Sequence, residues 1–122
     1  MSKIKKVAVI GTGVIGVGWT IRLLAHNIKV LAYDKNLNYF TSIEDTLKDA
    51  DFIQECATEN YSLKTNLISS IGKYSKKNSI IASSSSGLLP TRIYSKCKNP
   101  KRGLIGHPFN PVYLLPAVEI VP

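Results

Sequence analysis

Apolar and polar positions along the chain follow two rhythms. Lys5 to Ile10 ends in the unbroken apolar run Val7-Ala8-Val9-Ile10, which suits a parallel strand covered on both faces. After a glycine turn, Ile15, Trp19, Arg22 and Leu23 fall at helical spacing between Val14 and about Ala25, and His26-Asn27 marks the stop. Lys29 to Asp34 then reads as a strand closed by an acid. The three make a unit of about 30 residues, the size expected of a βαβ unit. Further on, Ile43 to Lys48 reads as a short helix with Ser42 as N-cap and Asp45 at its third position. Phe52 to Glu55 is a strand, and Tyr61 to Tyr74 a helix with Leu63, Leu67, Ile68 and Ile71 on one face. Ser79 to Ser83 is a strand, Arg92 to Lys96 a short helix, and Leu104-Ile105 and Val118 to Val121 are candidate strands. The alternation predicts an α/β fold with a doubly wound, mostly parallel sheet. One connection is out of pattern. Only Lys35 to Asn38 separates Asp34 from a possible strand at Tyr39 to Thr41, too few residues for a parallel crossover, so irregular structure is expected there.

A length of 122 residues fits one domain, taken as 1–122. No apolar run approaches the roughly 20 residues that cross a membrane. Met1 to Val17 mimics a secretory signal, with lysines first and apolar residues next, but glycines interrupt the apolar part. It reads as a buried strand and its turn, and a cytoplasmic location is expected. Cys56 and Cys97 stand in no metal-ligand or redox spacing, so free thiols and no metal are expected.

The net charge of +8 changes the picture only slightly. A basic chain attracts anions, yet its cations come in small groups: Lys3, Lys5 and Lys6; Lys73, Lys76 and Lys77; Lys96, Lys98, Lys101 and Arg102. No aromatic residues are interleaved with them as in a nucleic-acid-binding pattern. The reading is solvated surface charge with some bias toward anionic ligands, and neither a nucleic-acid nor a membrane partner. Nucleic-acid binding, were it present, would show as salt-steep, sequence-indifferent affinity.

Gly11-Thr12-Gly13-Val14-Ile15-Gly16 is a GxGxxG sequence lying between a predicted strand and a predicted helix, the context that gives it meaning. The first glycine permits a tight turn, the second lets a pyrophosphate approach the backbone, and the third lets helix and strand pack closely. The helix N-terminus adds unpaired N–H groups and a favourable dipole. Asp34 is placed to accept from ribose hydroxyls and would repel a 2′-phosphate, which favours NAD over NADP. The fold expected is therefore of Rossmann type.

His107, in Gly106-His107-Pro108-Phe109-Asn110-Pro111, precedes Glu119 by twelve residues. The prolines between them exclude a regular helix, so a loop between strands is expected, with both side chains turned toward one cleft. Oxidation of an alcohol needs a base for the hydroxyl proton. Neutral imidazole suits that task near pH 7, and an adjacent carboxylate orients it and stabilises the imidazolium. His26, at a helix end, reads as structural.

With these residues in view, the chain resembles the nucleotide-binding domain of the 3-hydroxyacyl-CoA dehydrogenase superfamily. Val7 to Asp34, Ile81 to Thr91 and Gly106 to Pro116 carry the likeness, which is nearer to the carnitine 3-dehydrogenase branch, with the gulonate 3-dehydrogenases similar too. The resemblance implies NAD as cofactor and a small-molecule 3-hydroxy substrate. It implies His107 as catalytic base, Glu119 as its paired carboxylate and Ser86 as hydrogen-bond donor to the substrate oxygen. Glu59 and Lys64 match residues beside the nicotinamide and its ribose, where the bare sequence offers an ordinary helix-surface pair. Asp34 matches the ribose acid, and Gly11, Gly13, Val14, Ile15 and Gly16 the phosphate loop. Two departures stand out. The family carries a long helical excursion between its second and third strands, where this chain is short. The family also continues into a helical domain that supplies dimer contacts and part of the substrate pocket. A shortened domain, weak dinucleotide binding, little or no turnover and a possible homo-oligomer are the expectations; the alternative is a catalytically inactive remnant that binds dinucleotide or, through the apolar stretch Tyr113 to Val118, a partner chain.

Overall fold

The computed structural model describes residues 3–37 and 42–122. Six strands form one sheet in the order β2-β1-β3-β4-β5-β6. They are β1 (Lys6–Ile10), β2 (Lys29–Tyr33), β3 (Phe52–Glu55), β4 (Ile80–Ser83), β5 (Gly103–Pro108) and β6 (Val118–Val121). Strands β1 to β5 are parallel, and β6 returns antiparallel to β5. The helices are α1 (Val14–Ala25), α2 (Ile43–Leu47), α3 (Tyr61–Tyr74) and α4 (Pro90–Ile93).

The chain leaves β1 for β2 on one side and then crosses to β3 on the other, so the direction of winding reverses between β1 and β3. Clefts for nucleotides form at such a point, outside the carboxyl ends of the strands. The common dinucleotide-binding order has a further strand outside β2. Here β2 is the edge and, among the described residues, pairs with β1 alone.

Alternation along the strands sends their apolar residues to two faces. Ala8 and Ile10 of β1, Ile53, Ile81 and Ile105 pack with Leu47 of α2, Ile68 and Ile71 of α3, and Ile93. Val7 and Val9 are buried on the opposite face, where α1 lies close enough that a Cβ at Gly16 would stand 3.4 Å from Val9 Cγ1. Asp51 ties the start of the sheet together. Its Oδ2 accepts from the backbone N–H groups of Lys5 (2.9 Å) and Lys6 (3.0 Å), and its Oδ1 meets Lys76 Nζ at 2.6 Å. The lysine, then the two N–H groups, hold its carboxyl far below the usual range.

Most elements fall within a residue or two of their sequence reading, and Ser42 caps α2 as expected, accepting from Asp45 N at 3.0 Å. Two readings are corrected. The helix read as Arg92 to Lys96 is Pro90–Ile93, because Pro90 takes the first helical position, where its fixed φ and missing N–H cost nothing. The strand read as Leu104-Ile105 runs from Gly103 to Pro108. The possible strand at 39–41 lies outside the described residues.

Candidate active site

Each glycine of the loop has its own reason. Gly11 has φ +93, and a Cβ there would meet Cys56 C and O at 2.8 Å, which only glycine tolerates. At Gly16 a Cβ would lie 1.8 Å from Gly11 O, so loop and helix close on each other there. At Gly13 nothing among the described residues stands within 4 Å. That open space adjoins the start of α1, which has neither a side-chain cap nor an acid in its first turn. The leading N–H groups of α1 thus lack a side-chain acceptor, as an anion site requires. Val14 is exposed there, and Ile15 turns toward the neighbouring cleft.

Asp34 follows β2 and closes this loop from the side. Its Oδ2 accepts from Thr12 N (2.9 Å) and Thr12 Oγ1 (3.0 Å), and its Oδ1 from Asn36 N (2.9 Å). The Thr12 and Asn36 N–H groups lower its pKa, so it stays a carboxylate. Oδ1 keeps a lone pair for a further donor. Gly11, Gly13, Asp34, Cys56, Ala57 and Leu63 line a cleft of about 350 Å³. Open space at Gly13, unpaired helix N–H groups and a spare carboxylate acceptor are what NAD needs from its site.

Cys56 and Ala57 also line an adjoining cleft of about 260 Å³, together with Ile15, Glu59, Lys64, Ser84, Ser86 and His107. Five of the expected site residues, Ile15, Glu59, Lys64, Ser86 and His107, therefore meet here, beside the phosphate loop. Burial pushes the Cys56 thiol up to about 12, so it remains protonated and is no nucleophile at neutral pH.

The loop expected between His107 and Glu119 forms at 109–117, between β5 and β6. His107 lies in β5, Glu119 in β6, and they are directly opposed in the antiparallel ladder. The prolines fall at the end of β5 and in the turn beyond it, where they break no ladder. His107 Nδ1 is 3.7 Å from Glu119 Oε2. That is beyond hydrogen-bond length, and Nδ1 is buried without a hydrogen-bond partner among the described residues. Glu119 itself is 63% exposed and does not line the cleft.

Glu59 and Lys64 are not a helix-surface pair either. Lys64 is only 1% exposed. Its ammonium meets Glu55 Oε1 at 2.9 Å, Glu55 Oε2 at 2.8 Å and Ala57 O at 3.0 Å, and Glu59 Oε2 lies at 3.9 Å. Glu55, fully buried, accepts in addition from Ala57 N (2.6 Å) and Ser83 Oγ (2.5 Å). Ser85 Oγ donates to Glu59 and accepts from Leu88 N. This network fixes the backbone on both sides of Ser86, itself exposed at the cleft. Glu55 was missed from sequence. Its signal was present: Lys64 shares the i, i+4, i+7 stripe with Ile68 and Ile71, and a lysine on a buried face needs a buried acid.

Comparison with known proteins follows the same lines. Residues 33–122 match the family described as 3-hydroxyacyl-CoA dehydrogenase, NAD binding domain. The chain belongs to that family. Among its relatives, L-carnitine dehydrogenase of a Pseudomonas species is 41% identical over 152 aligned positions, covering 99% of this chain and 47% of the relative. The L-carnitine dehydrogenase of Oceanobacillus iheyensis is 41% identical, covering 96% of this chain and 48% of its own length. The chain thus spans about half the length of the curated relatives it matches. The alignment runs over 152 positions for a chain of 122 residues, so the relative has a stretch without counterpart here. Among solved structures, 3-hydroxybutyryl-CoA dehydrogenase from Escherichia coli superposes with a TM-score of 0.89 at 24% identity, over 98% of this chain and 32% of that one. A 3-hydroxyacyl-CoA dehydrogenase from Archaeoglobus fulgidus gives 0.83 at 26% identity, over 95% and 46%. NAD is the cofactor of this domain family.

Proposed function

We propose that the chain provides the cofactor-binding, base-bearing half of an NAD-dependent dehydrogenase that oxidises the 3-hydroxyl of L-carnitine, or of a closely related 3-hydroxy acid. The observation that carries this reading is the opposed pair His107 and Glu119, beside a cleft shared by Ser86, Ile15 and the cofactor loop. In this reading Gly11, Gly13, Val14, Ile15 and Gly16 hold the pyrophosphate and Asp34 the adenosine ribose. Glu59 and Lys64 lie toward the nicotinamide end. Bound NAD supplies the hydride acceptor. Ser86 Oγ donates to the substrate oxygen, His107 takes the hydroxyl proton, and Glu119 stabilises the resulting imidazolium. Likeness to the L-carnitine dehydrogenases at about 40% identity supports the substrate.

For the chain alone, cofactor binding outlasts turnover. Glu119 Oε2 stands 3.7 Å from His107 Nδ1, beyond hydrogen-bond length, so the imidazole lacks the contact that would orient it as a base, and rate is sensitive to such positioning. Tyr113, Leu114, Leu115 and Val118 form an exposed apolar stretch, which favours association with another chain, a second copy included.

The test is an NADH titration followed by Trp19 emission, with NADPH as control, and then carnitine-dependent NADH formation. Trp19 is partly buried on α1, which opens at the loop. Saturable binding that prefers NADH supports the reading. Absence of binding removes the cofactor role, and NADH formation from other 3-hydroxy acids but not from carnitine removes the substrate.

A further inference from the structure

Groups of lysines that look scattered along the sequence are gathered by the fold. Strands β1 to β5 all start at one end of the sheet, the end opposite the glycine loop. Lys5 and Lys6 stand at the start of β1 and Lys29 at that of β2. Lys76 and Lys77 precede β4, and Lys98, Lys101 and Arg102 lead into β5. Among the described residues, the acids in the connections at that end are Asp49 and Asp51, engaged with Lys6 at 4.0 Å and Lys76 at 2.6 Å.

Within this basic end, a pocket of about 300 Å³ opens between the last turn of α3 and the segment leading into β5. Gly72 forms part of its wall, with Lys73, Ser75, Lys77, Lys98, Asn99 and Arg102 around it and no acid among the lining residues. Lys77 and Lys98 are exposed and make no ion pair among the described residues. Arg102 is more telling. Its guanidinium donates to Gly72 O at 2.7 Å, Ser79 O at 3.3 Å and Lys76 O, all neutral carbonyls. Its Nε is buried with no acceptor among the described residues. A partly buried cation without a counter-charge, beside further unpaired ammonium groups, is an arrangement that an anion stabilises.

We propose that this pocket binds a phosphoryl-type anion, at a site separate from the cofactor cleft and at the opposite end of the sheet. Such a group offers several acceptor oxygens, enough for the ammonium groups of Lys77 and Lys98 and the Asn99 amide together.

The test uses the whole chain labelled with ¹⁵N and titrated with sodium pyrophosphate at about 0.1 M salt, where more distant charges are screened. Saturating amide shifts are expected at Gly72, Lys73, Lys98 and Asn99, persisting when excess NADH is present. The double variant Lys77→Gln/Lys98→Gln is expected to weaken that binding about tenfold with an unchanged urea midpoint, since both side chains are exposed. Shifts that never saturate, shifts confined to Gly11–Gly16, or equal affinity in the double variant would each overturn the proposal. Because the two sites are read from different amides, failure here is distinct from failure of the cofactor cleft.

Discussion

His107 and Glu119 face each other across the β5–β6 ladder, with Nδ1 and Oε2 3.7 Å apart. Their relation is set by strand register, so a one-residue slip of β6 would turn the carboxylate to the other face of the sheet. If His107 is the base, His107→Ala leaves NADH affinity within about twofold. It lowers any carnitine-dependent NADH formation by roughly 10²- to 10⁴-fold. Single-turnover measurements with protein in excess would read both, and loss of NADH binding together with turnover would instead mark a structural residue.

Gly13 and Gly16 separate binding from folding. Alanine at Gly16 forces a Cβ against Gly11 O, at a cost of about 3 kcal/mol or more, visible as a lower urea midpoint. At Gly13 the added methyl meets nothing among the described residues. Gly13→Ala is therefore expected to unfold like the parent while binding NADH about tenfold more weakly. A stability loss at Gly13 equal to that at Gly16 would contradict the open-space reading.

Lys64 and Glu55 form an ion pair whose two side chains are both buried. Removing one partner leaves the other uncompensated, so Glu55→Gln and Lys64→Met should each destabilise by about 3–5 kcal/mol. The double substitution should cost less than the sum of the two, a coupling that denaturant melts of the four proteins would measure. Strict additivity would mean that the pair does not form.

Acid should erase the contribution of Asp51. Its folded pKa lies below the unfolded value, so its stabilisation is complete above the ordinary carboxylate range and is lost as pH falls through the folded value. Asp51→Asn is expected to lower the urea midpoint at pH 7, with the gap to the parent narrowing below about pH 4. A gap independent of pH would assign the effect to something other than the carboxylate.

How far the sequence reaches depends on the range of the interaction. The βαβ unit and the glycine loop are local, since periodicity and a turn signature settle them within about 30 residues, and both appear where Val7 to Asp34 indicate. The Ser42 cap is local in the same way. The opposition of His107 and Glu119 is not, because nothing within twelve residues says that a strand continues through Pro108 and is answered by an antiparallel partner. Glu55 and Lys64 meet only because α3 folds back over β3. The basic end escapes a linear reading entirely, since cations more than ninety positions apart, such as Lys5 and Lys98, come to the same end of the sheet only because parallel strands share a starting edge.

The edge position of β2 bears on how such a sheet can change over time. The nucleotide cleft opens between β1 and β3, in the interior of the strand order, and its lining reaches outward only as far as the residues that follow β2. An outer layer can therefore be added or pared away beyond that strand without re-threading the chain through the cleft. The sheet behaves as a frame assembled from its middle, in which length variation collects at the margin and the chemistry-bearing centre keeps its shape.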